Sequence, residues 1–155
     1  MEFLAQFHPK LVHFPIALLM AYLLCEFIGG VFRKDFFSKA AHLLLLLGVL
    51  GALAAVLTGN QAEDAFDYWN KASSDILEQH QFWANLTLWY FSGLLVIRTI
   101  LVLKKKFNDM FRYIFILLAA VGAYFVFQTG EQGGKMVYTH GVGTQYKIQQ
   151  MEKEK

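Results

Sequence analysis

Four long apolar runs constrain the fold of this chain more than any other feature of its sequence. They extend over residues 11–32, 40–58, 82–103 and 111–129. Each is close to the about 20 residues that an α-helix needs to cross the hydrocarbon core of a bilayer. Because lipid offers no hydrogen-bond partners to the backbone, open spans have to be helical. The sequence therefore predicts an all-α integral membrane protein, an antiparallel four-helix bundle.

The composition agrees with this class and excludes several others. Hydrophobic residues make up 56% of the chain and charged residues 17%, and a net charge of +2 gives no reason to expect a nucleic-acid partner. The single cysteine, Cys25, excludes an intramolecular disulfide and a CxxCH haem attachment. We expect one four-span membrane domain over residues 1–145 and a polar tail over residues 146–155. No nucleophile–base set, phosphate loop or dinucleotide fingerprint points to an enzyme class.

The distribution of lysine and arginine predicts which way the bundle faces. Basic residues are concentrated around the two short loops that follow the first and third runs: Arg33, Lys34, Lys39, Lys104, Lys105, Lys106 and Arg112. The positive-inside rule places such loops in the cytoplasm. Both termini then lie on the outer, periplasmic side of a bacterial inner membrane. The first run lacks a preceding basic segment and a clear cleavage site, so we expect it to be retained as a span.

The two halves of the chain share a pattern. The second run ends in Thr58-Gly59 and the fourth in Thr129-Gly130, and each half begins at or beside an outward histidine, His13 or His80. This pattern predicts two helical hairpins related by an axis along the membrane normal. Alternatively, Thr-Gly marks only a helix end, because glycine is favoured just past a helix C-terminus.

Four of the five histidines fall on the outer side of this topology. They are His8, His13, His80 and His140. His42 falls near the inner side. Neutral imidazole is the commonest metal ligand and a usual axial ligand of haem iron. We therefore predict that the four outer histidines form one cofactor or metal site. Glu63, Glu78 and Glu131 either orient the histidine rings or are solvated carboxylates of the loops. The alternative is that each ring is only a polar anchor at the membrane interface.

Two local features bear on this site. Pro9 and Pro15 predict an irregular start to the first span, which would bring the rings of both His8 and His13 inward. The glycine-rich stretch at residues 133–143 is expected to be a loop that folds over the mouth of the bundle as a lid.

A second set of polar residues lies in the opposite half of the bundle. Glu26 and Arg98 fall at similar depth in the first and third runs, and charges inside lipid usually face a partner or a cavity. We predict that they approach each other with His42 nearby. One interpretation is a proton path or ligand site, and the other is a pair that fixes the helix register.

The motifs of the chain resemble a known family. The opening HPxxVHFPIAL at residues 8–18, the Thr58-Gly59 pair, His80 and the closing YxHGVG at residues 138–143 are similar to the bacterial membrane-protein family called domain of unknown function 2231. The resemblance covers nearly the whole chain. It implies a four-span membrane domain and maps its motif histidines onto the same four residues, but it implies no reaction.

Three functions remain open from the sequence. The first is binding of non-covalent b-type haem by the outer histidines, with electron transfer to a periplasmic or quinone partner. The second is a single zinc, copper or iron ion on the same histidines. The third is a structural or accessory subunit of a membrane complex. Oligomer formation is compatible with all three.

Overall fold

The protein is a bundle of membrane-length helices. The structure, a computed structural model, describes residues 2–66 and 69–144, and in these ranges it contains six helices and no strand: α1 Glu2–Ala5, α2 His8–Leu11, α3 His13–Val31, α4 Asp35–Asp64, α5 Lys71–Leu103 and α6 Asp109–Tyr138. Four helical segments of the described chain are long and apolar enough to cross a membrane, the first being α2 with α3. The all-α four-span prediction is therefore confirmed. The predicted tail, residues 146–155, lies outside the described residues.

The helices are longer than the apolar runs because polar residues extend them. At the start of α5, the side chain of Asn70 accepts a hydrogen bond from the backbone N–H of Ser73, and the Ser73 hydroxyl accepts one from the backbone N–H of Asn70. This capping box begins the helix well before its apolar run. Asn108 caps α6 in a similar way by accepting from the N–H of Phe111.

Two predictions about the helix ends are wrong because α4 and α6 extend further than the apolar runs. Thr58-Gly59 and Thr129-Gly130 lie inside α4 and α6, so Thr-Gly does not mark a helix end here. The glycine-rich stretch is not a lid over residues 133–143, because α6 continues to Tyr138 and only the residues after it leave the helix. A glycine within a long helix costs about 1 kcal/mol relative to alanine, which tertiary packing offsets.

The first span is interrupted at Val12, between α2 and α3. Pro15 has no N–H to donate to the carbonyl of Leu11, which accounts for a local break at this point. The irregular start is therefore as predicted, but its consequence is different. His8 is half-buried, whereas His13 is exposed, so the break does not bring both rings inward.

The four spans form a ring in which α3 and α5 are diagonal. α3 packs against α4 and α6, and α5 packs against the same two helices. Four of the six buried positions of α3 are also buried in α5, 72 positions later in the chain. The matched pairs are Pro15 and Thr87, Leu19 and Phe91, Tyr22 and Leu94, and Glu26 and Arg98. This correspondence supports the predicted repeat of two helical hairpins.

The core lies on the diagonal between α3 and α5. Leu19, Tyr22 and Phe91 are fully buried there, and the rings of Tyr22 and Phe91 meet edge to face at 6.1 Å between centroids. Gly48 in α4 and Gly122 in α6 leave the space that the side chains of Leu19 and Phe91 fill. Small residues at such contacts are how membrane helices approach one another closely.

The outer surface of the bundle is apolar, while its two ends are polar. One side of α4 exposes a row of leucines: Leu46, Leu50, Leu53 and Leu57. An apolar surface of this kind is stable in lipid. We call the end that carries His8, Thr58, His80 and Thr129 the histidine end, and the end that carries the loops after α3 and α5 the basic end.

Candidate functional site at the histidine end

His8 contacts Thr58 of α4, the threonine of the first Thr-Gly pair. Its Nδ1 lies 3.2 Å from the Thr58 hydroxyl oxygen. That hydroxyl donates to the carbonyl of Ala54 at 2.8 Å, so its oxygen is left to accept a hydrogen bond. This geometry favours the tautomer in which His8 donates from Nδ1 and carries the lone pair on Nε2. The carbonyl of Ala55 also lies close to this ring.

His80 makes the matching contact in the second hairpin. Its Nδ1 lies 3.0 Å from the backbone carbonyl oxygen of Thr129 in α6. A carbonyl can only accept, so His80 donates from Nδ1, and the lone pair of the neutral ring is again on Nε2. Within the described residues, His80 forms no hydrogen bond through Nε2, while the His8 ring has the Ala55 backbone as a second partner beside Thr58.

Glycines in α4 and α6 make room for both rings. A Cβ built on Gly59 would lie 3.0 Å from Cε1 of His8, and one on Gly133 would lie 3.2 Å from Cε1 of His80. Any larger residue at these positions would press on the imidazole. The backbone of each helix therefore approaches the flat side chain directly, which explains two of the glycines near the ends of α4 and α6.

The two histidines form a pair with two-fold character. His8 and Thr58 are separated by 50 residues, and His80 and Thr129 by 49. The rings of His8 and His80 are close enough to interact electrostatically. Two imidazoles, each held through Nδ1 by a neighbouring helix, therefore lie near each other at the histidine end.

The other predicted ligands do not join this pair in the structure. His13 is exposed, and His140 lies past the end of α6 with its backbone N–H donating to Lys135 O at 3.3 Å. Among residues 2–66 and 69–144, no group of three or more His, Cys, Asp or Glu side chains is placed to hold one ion. Binding by all four histidines stays a prediction, of which the structure brings two members together.

The residues that orient the rings are threonines rather than the predicted carboxylates. Glu63 accepts a hydrogen bond from the side chain of Gln81, and Glu131 pairs with Lys135 at 2.8 Å within α6. Sequence reasoning used Thr58 and Thr129 only as markers of the repeat. The sequence did contain a signal for this role. Each threonine ends the second apolar run of a hairpin, and each hairpin begins at or beside a histidine.

The other end of the bundle contains the charged pair. Arg98 Nη1 donates to Glu26 Oε1 at 2.6 Å, and both side chains are at most 2% exposed. Arg98 Nη2 also donates to the backbone carbonyl of Ser38 at 2.9 Å. The guanidinium carbon lies 4.4 Å from the ring centre of Phe107, a cation–π distance. The approach of Glu26 and Arg98 is therefore as the sequence predicts, and it links α3 to α5 across the diagonal.

Comparison with known proteins identifies the family but no activity. A family model described as a predicted membrane protein (DUF2231) matches residues 5–146 of the chain. The match includes both hairpins and all five histidines. No curated protein and no solved structure matches the chain.

Proposed function

Since the chain belongs to the family of predicted membrane proteins (DUF2231), we propose that it works within a lipid bilayer, where His8 and His80 bind non-covalent b-type haem for electron transfer. The supporting observation is the matched state of the two imidazoles. Each contacts an oxygen of a neighbouring helix through Nδ1, a geometry that favours Nε2 as the atom that would bind iron. Imidazole is a usual ligand of haem iron and facing helices of a bundle are a standard place for a cofactor, so these two rings would hold the group.

The chemistry of His8, His80 and the oxygens that contact their Nδ1 atoms fits haem binding. A histidine ligand usually donates its other ring N–H to a carbonyl, hydroxyl or carboxylate, which fixes its tautomer and orientation. Thr58 and the Thr129 carbonyl do this for His8 and His80. When bound, the haem supplies an iron that exchanges one electron between the ferric and ferrous states. The protein holds the two rings and surrounds them with helix backbone.

The orientation of the bundle in the membrane indicates which class of electron-transfer partner reaches the histidine end. The basic end carries the short Lys/Arg loops, so the positive-inside rule places it in the cytoplasm and the histidine end at the periplasmic face of the inner membrane. The partner we propose is accordingly a periplasmic redox protein or a membrane quinone. His8 lies at the start of its span, at the depth where either could approach.

An absorption spectrum of the detergent-purified protein tests the proposal. We expect a Soret band and, after reduction, the α band of a bis-imidazole haem, in protein purified from haem-supplemented cells. His8→Ala and His80→Ala should each weaken haem binding about 10- to 100-fold or more, because each removes a ligand. His13→Ala and His140→Ala are the matched controls and should keep the spectrum.

Two results would contradict the proposal. One is wild-type protein that shows no Soret band after haem supplementation. The other is a His8→Ala or His80→Ala variant that binds haem as the wild type does. Elemental analysis of the same samples detects zinc, copper or haem-free iron, and one equivalent of such an ion without haem would replace this proposal with a metal site that also needs His13 or His140.

A further inference from the structure

A cavity at the basic end lies between the start of α4 and the end of α5. Its volume is about 330 Å³, within the range of roughly 300–1,000 Å³ that small-molecule sites occupy. Its polar lining comes from Asp35, Ser38, Lys39, His42, Arg98 and Lys105. Val102 and Phe107 add apolar surface. The cavity is at the opposite end of the bundle from the histidine pair and is independent of the haem proposal.

The charges around the cavity do not balance. Arg98 is paired with Glu26 at 2.6 Å, and Asp35 is paired with Arg112 at 3.0 Å. In the described part of the chain, Lys39 and Lys105 have no ion-pair partner. The lining therefore carries two uncompensated positive charges, which favour an anion over a cation or a neutral molecule.

Two buried polar atoms of the lining residues lack partners. Arg98 is 1% exposed, and its Nε makes no hydrogen bond within the described residues. Nδ1 of His42 is likewise buried without a partner there. A buried polar atom without a partner is unfavourable, and an anion with several oxygens supplies acceptors for Arg98 Nε and, in the Nδ1–H tautomer, for His42.

The repeat of the fold is broken at this position. In the second hairpin, Arg112 lies near the start of α6, and its guanidinium donates to the Gly29 carbonyl at 3.2 Å and pairs with Asp35. The Arg112 side chain therefore lies against the end of α3. Near the start of α4 the corresponding stretch has Ala41, a residue too short to reach across, and the space beside Arg98 stays open.

We propose that this cavity binds a phosphate-bearing anion. Lys39 and Lys105 attract the phosphate, while Arg98 and His42 donate to its oxygens. Its source is an anionic phospholipid headgroup or free inorganic phosphate. Val102 and Phe107 at the rim suit the lipid, because acyl chains leaving the headgroup need an apolar surface. Clusters of basic residues beside a span are a usual site for anionic lipid.

Lipid retention and phosphate titration distinguish the two sources. The first arm measures by native mass spectrometry whether the purified protein keeps phosphatidylglycerol in preference to phosphatidylcholine. The second arm titrates inorganic phosphate by calorimetry into the protein held in phosphatidylcholine nanodiscs. Retained phosphatidylglycerol that excess phosphate does not displace assigns the site to a headgroup. Phosphate binding in the second arm assigns it to the free ion.

The chain offers a matched pair of double variants for both arms. Lys39→Gln with Lys105→Gln removes the two lysines of the cavity and should weaken binding about thirtyfold. Lys34→Gln with Lys104→Gln removes the same charge from the same end, outside the cavity lining, and should bind as the wild type does. The proposal is overturned if neither probe binds the wild type, or if both double variants lose binding equally while circular dichroism shows them folded.

Discussion

At the scale of single residues, the two histidines of the pair are held in chemically different ways. His8 donates to a side-chain hydroxyl, that of Thr58, whereas His80 donates to the backbone carbonyl of Thr129. A side chain can be removed by substitution, but a backbone carbonyl cannot. The two threonines occupy matching places in the repeat and yet should respond differently to the same mutation.

Thr58→Val should therefore disturb the site more than Thr129→Val. Valine has nearly the shape of threonine but gives Nδ1 of His8 no acceptor, so the ring loses its fixed tautomer, and we expect haem affinity to fall about 10- to 100-fold. Thr129→Val keeps the carbonyl that His80 uses and should change the affinity much less. Haem titration followed at the Soret band measures both.

Thr99→Val is the control for this comparison. Among residues 2–66 and 69–144, the Thr99 hydroxyl donates to the Leu95 carbonyl of its own helix, at 2.7 Å, and to no other group. It should leave haem affinity at the wild-type value. Equal losses for Thr58→Val and Thr129→Val would contradict the assignment of the Nδ1 contacts.

The sequence could supply the histidines but not their partners. An apolar span that begins at His8 makes that residue a candidate at once, because lipid leaves a polar ring few places to go. Which oxygen meets its Nδ1 depends on the rotation of α4 beside α2, between residues 50 positions apart. His13 shows the same limit, since Pro15 changes the local backbone and the ring is exposed.

At the scale of helices, the Glu26–Arg98 pair is a buried ionic contact between the two diagonal elements, α3 and α5. Both side chains are buried, and Oε2 of Glu26 has no hydrogen-bond partner among the described residues. Removing one charge from such a pair leaves the other buried and uncompensated. Replacing both by apolar residues of similar size is often close to neutral.

Glu26→Leu and Arg98→Met should each destabilise the bundle by about 3–5 kcal/mol, and the double variant should recover most of that loss. Thermal unfolding in detergent, followed by circular dichroism, measures the three. A control is Arg33→Met, because the Arg33–Asp109 pair is 69% and 55% exposed, and we expect a change of about 1 kcal/mol or less. A double variant as unstable as the worse single variant would show that the charges themselves are needed.

The helix boundaries show what the apolar runs leave undetermined. The runs predicted four spans because a helix satisfies its backbone hydrogen bonds within a single segment in lipid. They did not predict the first turns of α5, which depend on the capping box at Asn70 and Ser73. They also did not predict that α6 passes through Gly133, where the packing of His80 against this helix favours glycine.

At the scale of the whole molecule, two similar hairpins within one chain can carry different residues at matching positions, which two identical hairpins cannot. Glu26 and Arg98 occupy matching positions near the axis that relates the two hairpins. Two identical hairpins would bring two like charges together there, which is strongly unfavourable in a low-dielectric interior. Joining the hairpins in one chain lets the matching positions differ, so the axis carries an ion pair at one end and two identical imidazoles at the other.

Because the two ends differ, the orientation of the molecule in the membrane can be measured by labelling one residue at each end. On a Cys25→Ser background, Tyr138→Cys places a thiol at the histidine end, where the side chain is 91% exposed, and Lys106→Cys places one at the basic end. By the positive-inside rule, a membrane-impermeant maleimide should label the first in intact spheroplasts and the second only after lysis. Labelling of the Lys106→Cys thiol in intact spheroplasts would place the histidine pair in the cytoplasm and exclude a periplasmic electron-transfer partner.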